Sequence, residues 1–233
     1  MTVLWGINHE SGDLSGYDST VVDGGDLSVA AAAALAGTNY GLQCVIDDTT
    51  DIYGVKAQTD PGTHRLRFRF YLDPNGVTMN AGDTVGLIYW TSSLVGDFID
   101  VTLSYDGASL EIRARCNDDG DTWRATTFYD ITDEPHYIEI DVYQATDLDD
   151  ADGYIWLYID GASKQKKANI DNFHAFAGLI GMARFGAHDP AASVAGTYFL
   201  DQLVVNNDGS VIGPYVAREP RHPGILHDGP SVV

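Results

Sequence analysis

The feature that most constrains this chain is a period of two. Short runs in which Val, Ile, Leu, Tyr and Phe alternate with polar residues recur from one end to the other, and no long stretch carries apolar side chains at helical spacing. Alternation of this kind puts one set of side chains on each face of a strand, so the chain is expected to be all-β. Strands are predicted over 40–46, 64–72, 84–90, 98–105, 109–116, 136–144, 153–159, 178–185 and 196–205. Asp106-Gly107 and Asp160-Gly161 suit tight hairpins, and Asn117-Asp-Asp-Gly120 a further turn. The alanine-rich stretch 28–37 suits a helix by propensity but is too short to hold one alone. It is read as an irregular crossing with at most a single helical turn.

Hydrophobic residues make up 44% of the 233, enough to build a core in one domain spanning 1–212. The formal net charge is −21, from 34 acidic against 13 basic residues. Such a surface repels phosphate backbones and anionic lipid, so neither nucleic acid nor a membrane is an expected partner. The most apolar run, 29–36, falls far short of the roughly 20 residues of a membrane span. Residues 1–6 lack the cationic start and apolar stretch of a secretory signal. Either the chain is not exported by that route, or a signal precedes it and is missing. Cys44 and Cys116 lie in alternating apolar segments and are read as buried thiols, with one bridge between strands as the alternative.

The stretch 213–233 differs in composition. It holds four of the eight prolines, Pro214, Pro220, Pro223 and Pro230, and carries no net charge. Proline at this density interrupts ladder hydrogen bonds, so an extended arm is expected. Its apolar residues, Ile225 and Leu226 among them, suit docking on a neighbouring subunit; a frayed tail is the alternative.

Three stretches together resemble the concanavalin A-like lectin and glucanase superfamily in its laminin-G-like branch. They are His9-Glu-Ser-Gly-Asp-Leu-Ser-Gly16, with Tyr17 where tryptophan is usual; 136–143 followed by 153–161; and 197–205. The resemblance implies a two-sheet antiparallel jelly-roll sandwich whose last strand returns to pair near the first. It also implies a structural Ca²⁺ held by Glu10 and Asp201 with backbone carbonyls around Gly37 and Asn39, the alternative being that Asp201 only hydrogen-bonds its strand edge. Retaining glucanases of the superfamily carry Glu-x-Asp-x-x-Glu on one strand. Here Glu139 and Asp141 keep the first two positions and Gln144 takes the third. An amide cannot donate and recover a proton, so double-carboxylate hydrolysis lacks its second partner. Glu139 and Asp141 are then read as a solvated sheet face.

Other metal and catalytic signatures are weak. The acidic run 147–153 does not follow a helix-loop-helix calcium pattern and reads as a hairpin tip, and the histidines show no paired zinc spacing. Sugar binding needs flat aromatics, for which Trp123, Tyr129 and Tyr143 are the candidates, while Trp90 and Trp156 are expected in the core. The expected protein is therefore no enzyme. It is a structural or adhesive module on a virion or extracellular surface, a phage decoration or tail protein for example, whose partners are copies of itself, a surface assembly, or glycans. A glycoside hydrolase or lyase on the same fold, or a soluble lectin, is the alternative.

Overall fold

The computed structural model describes residues 3–57, 64–92, 96–177 and 181–216. Sixteen strands run in chain order as β1 (Val3–Ile7), β2 (Ser19–Val21), β3 (Leu27–Ala30), β4 (Gly41–Ile46), β5 (Ile52–Ala57), β6 (Arg65–Asp73), β7 (Thr84–Ser92) and β8 (Gly96–Tyr105). They continue as β9 (Leu110–Asn117), β10 (Trp123–Ala125), β11 (Tyr129–Ile131), β12 (His136–Tyr143), β13 (Gly153–Ile159), β14 (Ala162–Ile170), β15 (Met182–His188) and β16 (Gly196–Asn206), with one short helix, α1 (Phe173–Ala177). Among the described residues no helix is long and apolar enough to cross a bilayer.

The strands form two antiparallel sheets. The first has the order β14-β13-β12-β6-β16-β4-β3, with β1 also on β16; the second has the order β10-β9-β8-β7-β15-β5-β2, with β11 also on β9. The last strand therefore pairs beside the first, as the resemblance implies. Nine strands fall where alternation predicts them, to within a few residues. The Asp106-Gly107 and Asp160-Gly161 turns join β8 to β9 and β13 to β14. The alanine tract splits into β3 and a three-residue 3-10 turn at Ala31–Ala33.

Among the described residues seven strands escape the alternation: β1, β2, β3, β5, β10, β11 and β14. Strands β2, β10 and β11 are three residues long, too short to show a period. Strand β14 is an edge whose Ser163-Lys-Gln-Lys-Lys167 run has no apolar face, and lysine on an edge discourages pairing with another chain.

Between the sheets the inner faces interlock through large rings. Phe68 and Phe70 of β6 meet Trp90 of β7 and Phe185 of β15, each pair with centroids 5.6 Å apart. All four side chains are fully buried, as are both free thiols, Cys44 and Cys116. Trp156 corrects the core expectation. It lies half-buried on the outer face of β13, because Ile155 and Leu157 take the inward positions.

A buried polar knot ties the chain's opening to its last strand. Asp201 accepts hydrogen bonds from His9 Nδ1 at 3.1 Å, the Gln202 N–H at 2.7 Å, the Leu35 N–H at 3.2 Å and the Thr38 hydroxyl at 2.6 Å. With His9 donating through Nδ1, its Nε2 accepts the Tyr17 hydroxyl at 2.9 Å. The Tyr17 ring lies directly on Gly54 of β5, where an added Cβ would come within 2.3 Å of it. One carboxylate thus joins three segments distant in sequence. Replacing it leaves several buried donors without acceptors, each costing roughly 1–3 kcal/mol. Asp201→Ala is expected to lower stability by about 3 kcal/mol and the melting temperature by about 10 °C in thermal unfolding. Asp201→Asn, which keeps one acceptor oxygen, should lose less.

Candidate active face on the second sheet

Inward packing of alternate residues leaves each sheet an outer face. On the second sheet the register aligns Arg115 of β9, Asp100 of β8, Tyr89 of β7 and Arg184 of β15 in one row across four strands. A neighbouring row holds Arg113, Thr102, Gly86 and His188. Two bulges create this arrangement. One extra residue in β7 between Gly86 and Ile88 sends both Leu87 and Ile88 inward and turns Tyr89 out. Another in β15 between Phe185 and His188 brings His188 opposite Gly86.

His188 lies between two phenol rings. It stacks on Tyr89 at 4.6 Å and 9°, and on Tyr53 of β5 at 4.8 Å and 24°. Gly86 provides the room, since a Cβ there would sit 2.6 Å from the Tyr89 ring and 3.2 Å from the His188 Cβ. Among the described residues neither ring nitrogen of His188 makes a well-formed hydrogen bond; Nδ1 lies 3.9 Å from the Asp51 carboxylate. Burial is the main reason its pKa falls to about 4. The Arg184 backbone carbonyl opposes this, and the Arg184 charge adds to it. The imidazole is therefore neutral at pH 7, with an available lone pair.

Tyr89 behaves in the opposite sense. Burial first, then the charges of Asp100 and Asp189, push its phenol up, so it keeps its proton and donates to Asp189 at 3.3 Å. The Asp100 carboxyl is raised by burial despite its ion pair with Arg115. Arg113 has no acceptor at its buried Nε and lies 4.5 Å over Phe128; burial, then the neighbouring Arg115, lower its pKa. A neutral base, a protonated acid and a guanidinium with an unused N–H thus share one face.

The sites expected from sequence fall elsewhere, with one exception. Trp123, on edge strand β10, has the Arg115 guanidinium 4.3 Å above its ring and borders this face. Tyr129 packs against the core and donates weakly to the Lys164 carbonyl at 3.4 Å. Tyr143 is on the first sheet, stacked on Tyr154 at 5.4 Å. The three aromatics do not form one site. Glu10 accepts from the Asn39 N–H at 2.9 Å, the Asn39 side-chain amide at 2.6 Å and the Tyr40 N–H at 3.2 Å. With Asp201 also facing N–H and O–H donors, the environment of both carboxylates fits hydrogen bonding rather than a hard cation. Among the described residues no group of three or more His, Cys, Asp or Glu gathers as a ligand set, and Gly37 stands in a left-handed turn at φ 80°.

Glu139 and Asp141 correct a second expectation, because they are 1% and 0% exposed rather than solvated. Arg67 pairs with Glu139, and Arg65 holds Asp141 through two nitrogens at 2.8 and 2.6 Å. The N–H groups of Ile212 and Gly213 cap Glu139 at 2.9 and 3.1 Å. Gln144 accepts from His64 at 2.6 Å and donates to the Phe173 carbonyl at 2.8 Å. Pro214 follows this capping segment, whereas Pro220, Pro223, Ile225 and Leu226 of the arm lie outside the described residues.

No protein-family model matches the chain, and no curated protein matches it in sequence. Solved structures do share its fold. Alginate lyase Aly36B matches at a TM-score of 0.62 and 10% identity, over 88% of this chain and 96% of that one. Alginate lyase vAL-1 from Chlorella virus matches at 0.50 and 11%, over 82% and 99%. Domain 4 of AbnA, an arabinanase from Geobacillus stearothermophilus bound to arabinotriose, matches at 0.55 and 13%, over 88% and 92%. The shared feature is the β-sandwich of carbohydrate-active and carbohydrate-binding domains. The expectation of a protein that is no enzyme is thereby corrected. It rested on Gln144 and on the weakness of the other catalytic signatures, and the fold is one on which alginate lyases are built, with the clustered acid and base groups here on the opposite sheet.

The depressed His188 pKa has a consequence for stability. The unfolded imidazole takes up a proton near pH 6.5 and the folded one only near 4, so this residue's contribution is complete above pH 6.5 and is lost as pH falls toward 4. At about 1.36 kcal/mol per unit the loss approaches 3 kcal/mol. Denaturant titrations between pH 7 and 4 should show a shallower decline for His188→Phe than for the native protein.

Proposed function

We propose that this protein is a polysaccharide lyase that cleaves a uronate-bearing chain by β-elimination on the outer face of the second sheet. The observation that carries this reading is His188, a neutral imidazole with no well-formed hydrogen bond on either nitrogen and only the Asp51 carboxylate 3.9 Å from its Nδ1, set beside two arginines and a protonated tyrosine. The alginate lyases that share the fold support the same substrate class.

Elimination requires three things of a site. The sugar carboxylate must be neutralised so that the adjacent C–H becomes acidic, a base must take that proton, and an acid must protonate the departing glycosidic oxygen. Arg113, with its unused Nε, and Arg115 receive the carboxylate. His188 accepts the proton α to it, and Tyr89 gives its phenolic proton to the leaving oxygen. The C–H electron pair becomes the new C=C bond as the C–O bond breaks, so no water is consumed. In the free protein Tyr53 and Tyr89 cover the fully buried imidazole, so the proposed reaction requires the half-buried Tyr53 to move off its edge. Trp123 at the rim offers a flat ring to a neighbouring sugar unit.

The test is incubation with alginate, polygalacturonate and chondroitin sulfate, following the ultraviolet absorbance of the unsaturated uronate product. The native protein is expected to cleave at least one, with turnover reduced roughly 100-fold or more in Tyr89→Phe, Arg115→Gln and His188→Asn. New reducing ends without the unsaturated product would mean hydrolysis, and no turnover on any of the three would overturn the proposal.

A further inference from the structure

The outer face of the first sheet carries a second arrangement of rings and charges that the proposed reaction does not use. Its register sets residues in columns. Arg65, Arg67 and Arg69 lie on β6, Tyr143, Asp141 and Glu139 on β12, Tyr154, Trp156 and Tyr158 on β13, and Lys166 and Ser163 on β14. Arg65 and Arg67 neutralise the two carboxylates under the 209–213 segment, as described above, while Arg69 lies 5.0 Å over the Tyr71 ring. The next columns outward, on β13 and β14, are half-buried rings and an exposed lysine.

The rings form a continuous file. Tyr143 stacks on Tyr154 at 5.4 Å, Tyr154 meets Trp156 edge-on at 6.4 Å, and Trp156 stacks on Tyr158 at 5.0 Å. The Trp156 N–H is anchored to the Ser163 hydroxyl at 2.8 Å, which fixes the indole plane. Lys166 Nζ lies 3.7 Å from the Tyr154 centroid and 5.5 Å from that of Trp156. With Lys164, in the bulge of the same edge strand, it makes two of the four lysines of a chain whose net charge is −21; Lys167 pairs with inward-facing Ile155 and lies on the other side of β14.

We infer that this file of Tyr143, Tyr154, Trp156 and Tyr158, bordered by Lys164 and Lys166, is a second binding surface for an anionic polysaccharide strand, separate from the face proposed for cleavage. Stacked on one another and overlaid by Lys166 and Arg67, the rings form an apolar ridge along β13 whose exposed edges a sugar chain can pack against. The lysines supply the opposite charge where the rest of the surface is acidic. A neutral glycan would gain from the rings alone, so the lysines select carboxylated or sulfated chains.

Retardation in native gels cast with alginate, polygalacturonate, chondroitin sulfate or uncharged hydroxyethyl cellulose tests this directly. The native protein should be retarded by at least one polyanion more strongly than by the uncharged polymer. Lys164→Glu with Lys166→Glu changes exposed side chains only and should weaken that retention tenfold or more. Trp156→Ala should do the same, with thermal unfolding confirming the fold of each. Arg115→Gln, on the other sheet, should keep most of the retention while losing turnover. No retardation by any polyanion, equal retardation by the uncharged polymer, or unchanged retardation of the double lysine variant would overturn the inference. Loss of retention in Arg115→Gln alone would place all binding on the second sheet and leave the lyase proposal standing.

Discussion

The two sheets must bury one face each, and the rings of Phe68, Phe70, Trp90 and Phe185 fix which face that is. Once those side chains meet, the two-residue period assigns a direction to every other residue of β6, and on β7 and β15 it does so as far as each strand's bulge. Arg65, Arg67 and Arg69 are turned outward because Leu66, Phe68 and Phe70 point in. Arg113 and Arg115 are turned outward because Ile112, Ala114 and Cys116 point in. The charged chemistry of the molecule is thus a by-product of how its apolar side chains pack.

The two outer faces use their charges differently. On the first sheet the arginines and carboxylates largely satisfy each other, and backbone N–H groups of the 209–213 segment complete the arrangement around Glu139. Carboxylates held this way lie away from solvent and accept from fixed donors, which suits structure. Unmatched buried atoms occur on both sheets. On the first they belong to Arg67, Arg69, Gln202 and Asn206; on the second they include both His188 nitrogens, Asp100 and Arg113. What sets the second sheet apart is that its unmatched atoms include a neutral imidazole beside a protonated phenol, so that face offers a base and an acid together.

Sequence alternation locates nine strands, three hairpin or turn signals and the all-β class, because the inward positions of those strands are continuous runs of large apolar residues. It does not locate the candidate site. The run Val85-Gly-Leu-Ile-Tyr-Trp90 shows why. Strict alternation from Val85 would point Tyr89 into the core and Trp90 to the outer face, whereas the bulge at Leu87 does the reverse. The pair Arg113 and Arg115 was visible as two cations on one strand face, but so was the trio at 65, 67 and 69. Nothing local tells which set meets carboxylates from its own neighbours. Reading Glu139 and Asp141 as solvated failed for the same reason, since the residues that cover them lie some 70 positions away.

What the sequence determined alone was a matter of period and composition: an all-β chain, turns at its glycine and aspartate pairs, and buried cysteines, all governed by interactions within a few residues. What the tertiary structure decided was phase and company. Two single-residue bulges set which side chains of β7 and β15 leave the core, and strand order places Tyr53, Tyr89 and His188 together from three separate segments. The stacking of those rings and the desolvation that keeps the imidazole neutral depend on neighbours far away in the chain, and such neighbours exist only once the sheets have formed.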